Sequence, residues 1–338
     1  MKTHIPYLDG WRGLAIVFLL IGHFFPVPGI NFGAVGVALF FVLSGFLMSS
    51  ILFLDRVPLS LFYRRRIARI LPSVVVFVLV VALGYLLLGR KVSSFELLAA
   101  ATFTNNYFVA AGAWTMPLGH IWSLSVEEHA YILLSLLALS CRARKTGGVA
   151  ELGLVSAMAA TIAVTYWIVY GNRHVPGLWL HTEVAAFGIV ASGFVLLCFQ
   201  KHRPALPAFA APLLVMLGIA AYWWRFPPPV NLVAGCGAFA LALNLMDRSP
   251  GLFRSILELR ALRQMGVWSF SLYLWQQPFY MLMDQAGLTA AQALACALAV
   301  GVAAFYLIEH PARAWLNRVL GANRVVHAEA EAGRVLQS

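Results

Sequence analysis

Ten apolar stretches follow one another along this chain, at roughly 11–29, 33–54, 72–89, 118–140, 150–170, 179–199, 205–224, 230–246, 267–285 and 288–310. A helix needs about 20 apolar residues to cross a hydrocarbon layer about 30 Å thick, and no backbone polar group can go unpaired there. The chain therefore reads as an all-α polytopic membrane protein, a bundle of about ten transmembrane helices. Only 11% of its residues are charged, whereas a soluble domain carries about a quarter. The stretch at 118–140 departs most from a simple span, because Glu127, Glu128 and His129 interrupt it.

The formal net charge of +11 would suggest a nucleic-acid partner if it lay on one soluble surface. Sorted by loop, it does not. One alternating set of segments holds 19 Lys and Arg, and the other holds four, Arg90, Lys91, Arg173 and Arg225. That asymmetry is the positive-inside signature, so both termini are expected in the cytoplasm, with membrane lipids and no nucleic acid as partners. Cys141, Cys198, Cys236 and Cys296 lie in or beside apolar runs without CxxC spacing, which gives neither a disulfide framework nor a metal site. Removal of the first apolar run as a signal peptide is not expected, since Asp9 and Arg12 precede it and similar segments follow. A membrane domain over 1–316 is expected, with a short, disordered cytoplasmic tail at 317–338 and no fused soluble domain.

Ionisable residues inside the apolar stretches are costly there and mark candidate functional positions. Arg12 and His23 are eleven residues apart, about three turns plus 20°, so they share one helix face about 16 Å apart along the axis. Arg12 would lie near one mouth and His23 deep inside, with about half the bilayer on either side. Arg12 could instead snorkel to headgroups or pair with Asp9 at i, i+3, and His23 could bond a neighbouring backbone. Arg64, Arg65, Arg66 and Arg69 open the third stretch, where they suit either orientation and lipid contact or a phosphate site. In the fourth stretch, helical spacing would align His120 with Glu127 about 10 Å apart. Glu127 and Glu128 are either functional or paired with an arginine from another helix. Glu309 and Arg313, at i, i+4, would form a structural ion pair.

Taken together, these stretches resemble the membrane-bound acyltransferase-3 family. The resemblance rests on Tyr7–Arg12 with His23, Phe40–Phe46, Arg64–Pro72, Ile121–Glu128, Ser269–Trp275 and Ile308–Pro311, in the family's order over nearly the whole chain. It implies a ten-helix bundle in the bacterial inner membrane that moves an acyl group, usually acetyl, from acyl-CoA to a hydroxyl of an envelope glycan, glycolipid or small acceptor. Acyl-CoA is then a co-substrate, with no bound cofactor. The family's Arg-x10-His pattern maps onto Arg12 and His23, its arginine cluster onto Arg64, Arg65, Arg66 and Arg69, and its acidic pair onto Glu127 and Glu128. Many members carry a histidine after the Leu-Trp of the ninth helix. Here Gln276 stands in its place, which leaves His23 as the candidate base.

The residues suit this chemistry independently. Cations at one mouth (Arg12, Arg64, Arg65, Arg66, Arg69) could hold a phosphorylated nucleotide head while a long thin arm carries the thioester to His23. An imidazole, with an ordinary pKa of about 6.5, could take the acceptor proton or carry the acyl group itself. Glu127 is expected to orient an imidazole or bind the acceptor, and Asp9, Asn105, His120, Trp122, Ser125 and Glu128 to contact substrate. A proton-coupled transporter could use the same buried His, Glu and Arg residues, and an anchoring or sensing protein could hold them in structural pairs.

Overall fold

The computed structural model describes residues 5–112, 114–171 and 177–320. Lys2, Arg173 and the tail from 321 onward, each of which entered the sequence reading, lie outside the described residues. Each of the ten apolar stretches contains a helix. These are α1 (Pro6–Phe24), α2 (Phe32–Leu54), α3 (Leu59–Leu87), α6 (Gly119–Arg144), α7 (Val149–Tyr170), α8 (Thr182–Lys201), α9 (Ala210–Ala220), α10 (Pro228–Asn244), α12 (Arg260–Leu282) and α13 (Ala290–Val319). Two short helices, α4 (Ser94–Ala101) and α5 (Asn105–Ala110), fill the long loop after α3, and α11 (Gly251–Leu257) precedes α12. Among the described residues α2, α3, α6, α7, α8 and α13 are long and apolar enough to cross a membrane. The protein is therefore a multi-pass membrane protein. The expected tally of ten spans exceeds these six: α9 has 11 residues, and α1 carries Asp9 and Arg12 within its length.

Several boundaries moved for identifiable reasons. α3 begins at Leu59 rather than near 72, so all four arginines lie inside the helix, and Pro72 is accommodated mid-helix. α6 opens with a 3₁₀ turn at Gly119–Ile121, and regular α-helix starts only at Trp122. α1 stops at Phe24, just before Pro26 and Pro28, which places His23 in its last turn. The histidine is thus near one end of its helix. Glu309 lies in a π-helical turn ahead of Pro311 and accepts a hydrogen bond from Ser271 Oγ at 2.5 Å. It forms no ion pair with Arg313, because its carboxylate is turned to Ser271 of α12 instead. All four cysteines are unpaired.

α1 is the element the rest packs around, lying chiefly against α2 and α12. The buried indole of Trp11 donates to the Leu39 carbonyl of α2 at 3.1 Å. On the other side the backbones nearly touch. A methyl group placed on Gly266 would fall 1.9 Å from the Asp9 carbonyl oxygen, and one on Gly13 would fall 1.9 Å from that of Leu262. Small residues permit such close helix approach where lipid offers no hydrophobic drive. Gly266→Leu is expected to force α1 off α12 and lower the melting temperature in detergent. Full retention of wild-type stability would show the contact to be dispensable.

Contacts tie one set of loops into a basic end of the bundle. Arg142 donates to the carbonyls of Leu52 and Val57, Arg64 to that of Leu320, and Arg203 pairs with Asp247. At the opposite end the segment carrying α4 and α5 is folded onto itself: the buried carboxylate of Glu96 accepts from Thr115 N, Thr115 Oγ1 and Met116 N at 2.6–2.9 Å.

Candidate active site

Five helices converge on a partly open cavity of about 90 Å³. α1 contributes Arg12, α2 contributes Ser44, α3 contributes Arg66 and Arg69, α6 contributes Ser123, Glu127 and Tyr131, and α12 contributes Ser269 and Tyr273. Arg66 and Arg69 face inward together because a spacing of three residues keeps them on one helix face, whereas Arg64 and Arg65 are exposed. Arg64 is used instead to cap the C-terminal end of α13, through the Leu320 carbonyl.

The two carboxylates of α6 share one counter-ion. Arg66 donates through Nε to Glu128 at 2.9 Å and through Nη2 to Glu127 at 3.0 Å, and its guanidinium carbon lies 4.0 Å over the Tyr131 ring. Glu127 also accepts from Ser44 Oγ at 2.7 Å and from the Tyr131 hydroxyl at 3.2 Å. This is the arginine-paired alternative for the acidic pair. Glu127 does line the cavity, but it orients no imidazole. Arg12 reaches Asp9 only at 3.4 Å, and Arg69 forms no ion pair or hydrogen bond among the described residues. Two guanidinium groups therefore face this space with donors to spare.

Tyr273 closes the far end of the cavity. Its hydroxyl donates to the His120 carbonyl and accepts from Ser123 Oγ at 2.8 Å. His23 lies beyond, about one turn further along α12, and is not in the cavity wall. Its partner is Gln276, which is fully buried. The Gln276 amide nitrogen donates to Gln277 Oε1 at 3.1 Å and points at the Tyr273 carbonyl at 3.5 Å, which turns Oε1 towards His23 Nδ1 at 2.8 Å. An amide oxygen can only accept, so Nδ1 carries the proton and Nε2 keeps its lone pair. Tyr280 stacks on the ring, with centroids 4.5 Å apart, and steadies its plane. The Nε2 edge faces Gly33, where an added methyl group would lie 3.7 Å away.

The remaining expected contacts divide. Asp9 stays with Arg12 at the cavity's basic end, and Glu128 is held by Arg66. Trp122 packs edge-on against Phe41, and buried Ser125 bonds back to the Ile121 carbonyl. Asn105 is buried and donates to the carbonyls of Leu118 and Gly119, so it shapes the turn before α6 and is not in the wall of this cavity. His120 is buried between Phe77 and Tyr273, on the 3₁₀ turn and not on a helix face shared with Glu127. Ser44, Tyr131, Tyr273 and Gln277 carried no individual reading. The signal was present for two of them, since Ser44 and Tyr273 fall inside the Phe40–Phe46 and Ser269–Trp275 motifs.

A family model described as an acyltransferase domain (Acyl_transf_3) matches residues 5–310. Relatives include the proteins named O-acetyltransferase OatA from Staphylococcus aureus strains NCTC 8325 / PS 47 and COL. Each is 24% identical over 315 residues, a match covering 83% of this chain and 51% of the relative. The chain thus spans about half the length of the curated relatives it matches. No solved structure matches it. A family match over nearly the whole sequence, on a multi-pass helical bundle with arginines and a single-tautomer histidine at its centre, places this chain in the membrane-bound acyltransferase-3 family.

Proposed function

We propose that this protein is an O-acyltransferase that moves an acyl group, acetyl in the first instance, from acyl-CoA to a hydroxyl of an envelope polysaccharide, glycolipid or related acceptor. The observation that carries this reading is the linear arrangement of spare guanidinium donors, a cavity and a histidine with a defined lone pair. The basic end faces the cytoplasm of a bacterium, both termini lie on that side, and ten helices cross the inner membrane. The names of the Staphylococcus aureus relatives support acetyl as the group moved.

Pockets that enclose a whole ligand are typically about 300–1,000 Å³. A cavity of about 90 Å³ takes only the thin arm of coenzyme A, so the nucleotide head stays outside, near exposed Arg64 and Arg65. Arg12 and Arg69 meet the phosphate-bearing end of the arm with charge-assisted donors. Passage of the thioester to His23 requires the Tyr273 ring to swing aside, which breaks its bonds to Ser123 and to the His120 carbonyl. The acceptor approaches from the opposite end, past Gly33, where Nε2 of His23 takes its hydroxyl proton.

Envelope glycans of a deletion strain and its parent, compared by mass spectrometry, test this directly. One acyl group is expected to be missing from one carrier in the deletion strain, and identical spectra would count against the proposal. Arg69→Gln removes a charged donor while preserving size. It is expected to raise KM for acetyl-CoA by about tenfold or more with little change in kcat. An unchanged KM would remove Arg69 from donor binding.

A further inference from the structure

His120 is 94% buried by its 6% exposure, and neither of its ring nitrogens has a hydrogen-bond partner among the described residues. A neutral imidazole always carries one N–H, so at least one donor here is unsatisfied in a setting that excludes water. Native proteins seldom leave such a group idle, and an orphaned buried donor normally signals a missing partner. The Leu274 carbonyl faces the ring, but outside ordinary hydrogen-bond geometry. The imidazole is wedged between Phe77, with centroids 5.4 Å apart, and Tyr273, with centroids 5.1 Å apart.

The location narrows what the missing partner is. Tyr273 is the residue that closes the cavity, and its hydroxyl is tied to the backbone carbonyl of His120 itself. Gln276, one turn further along α12, holds His23. A group passing from the cavity to His23 therefore goes by the His120 ring. Phe77 and Ile121 make the surroundings apolar and narrow, which suits the end of a thioester and not a sugar ring.

We propose that His120 is a catalytic residue whose ring N–H donates to the acyl carbonyl oxygen and stabilises the negative charge that develops there. This rests on the acyltransferase reading above. In the step, the acceptor hydroxyl oxygen bonds to the thioester carbonyl carbon while its proton passes to His23 Nε2. The carbonyl π pair moves onto oxygen and is held by the His120 N–H. Collapse reforms the carbonyl and breaks the C–S bond, and the departing thiolate takes the proton from His23. The products are an ester and free coenzyme A thiol. His120 donates throughout and ends unchanged.

The test uses membranes of the native host, which contain the acceptor, from a deletion strain complemented with each variant at matched protein level. Acetyl-CoA labelled in the acetyl group is titrated, and base-labile label in the envelope fraction is counted. His120→Leu is expected to lower kcat by about 10²–10³-fold, as loss of one oxyanion donor does, with KM for acetyl-CoA little changed. His120→Gln, which keeps an N–H of similar reach, is expected to recover part of that loss. Because Leu needs no partner, the purified His120→Leu protein is expected to melt at the wild-type temperature or higher. Wild-type kcat in His120→Leu, or a lowered melting temperature in both variants, would overturn the proposal. The same assay separates it from the underlying reading: label no higher with wild type than with the deletion strain sinks the acyltransferase reading itself, whereas full label with His23→Ala overturns the step written here and leaves that reading standing. An inactive His23→Ala beside a fully active His120→Leu sinks the His120 proposal alone.

Discussion

His23→Ala is expected to reduce acyl transfer by about 10²–10⁴-fold, the range a positioned general base contributes, while the protein still inserts and melts near the wild-type temperature. The expectation follows from how the ring is held. Gln276 fixes Nδ1 as the protonated nitrogen, Tyr280 stacks on one face, and Nε2 is left with its lone pair towards Gly33. That arrangement serves proton removal and an acyl-imidazole intermediate equally, since both use Nε2. The ring is only partly buried, so its truncation removes the chemistry at a modest cost to the fold, chiefly the partner lost by Gln276 Oε1. Gln276→Leu is the companion variant: it frees the tautomer and is expected to lower kcat with KM unchanged. Labelled acetyl incorporation in native membranes, at matched protein level, reads both. Undiminished transfer by a well-expressed His23→Ala protein would remove the centre of the mechanism.

Arg66→Met is expected to be the most destabilising single change at the site, at about 3–5 kcal/mol, because it leaves two carboxylates in a largely buried setting without their shared counter-ion. Glu127 and Glu128 are both mostly shielded, with side-chain exposures of 16% and 19%. Ser44 and Tyr131 continue to donate to Glu127, yet neither carries charge. Lysine is a poor replacement, since one fork-shaped guanidinium reaches both carboxylates and stacks on Tyr131, which a point charge on a flexible stem does not. The triple variant Arg66→Met, Glu127→Gln, Glu128→Gln is expected to recover much of the loss, because the buried charge is then gone. Thermal unfolding in detergent compares the three proteins. A melting temperature for Arg66→Met equal to wild type would mean the carboxylates are not held by this pair.

The helical class and the places where most helices lie were legible because apolar stretches of span length can do little else in lipid. The number of spans was less legible, since length and hydropathy alone single out six helices among the described residues while α1 and α12 carry polar cavity-facing residues. The site was legible in part. Arg12, Arg66, Arg69 and Glu127 do meet, because each lies on an inward helix face that local spacing fixes. Arg64 and Arg65 were grouped with them by adjacency, and both are exposed outside the cavity wall. Asn105 and Ser125 bond to nearby backbone, which no motif announces. Gln276 read as a departure from the family's histidine. Its role appears only when α12 is laid against α1, 253 residues away in sequence. The place of His23 within its helix depended on where α1 ends, at Phe24, just before Pro26 and Pro28.

The glycine seam between α1 and α12 has a mechanical consequence. Helices in backbone contact cannot slide or rotate against each other without losing that contact, so Arg12, His23, Ser269, Tyr273 and Gln276 ride on one stiff spine. The interval between the place where the donor is gripped and the place where it reacts is therefore a ruler, set by backbone and not by side-chain adjustment. Breathing that admits substrate falls to α3 and α6, which are joined to each other through Arg66 and, for α6, to the spine through the Tyr273 hydroxyl.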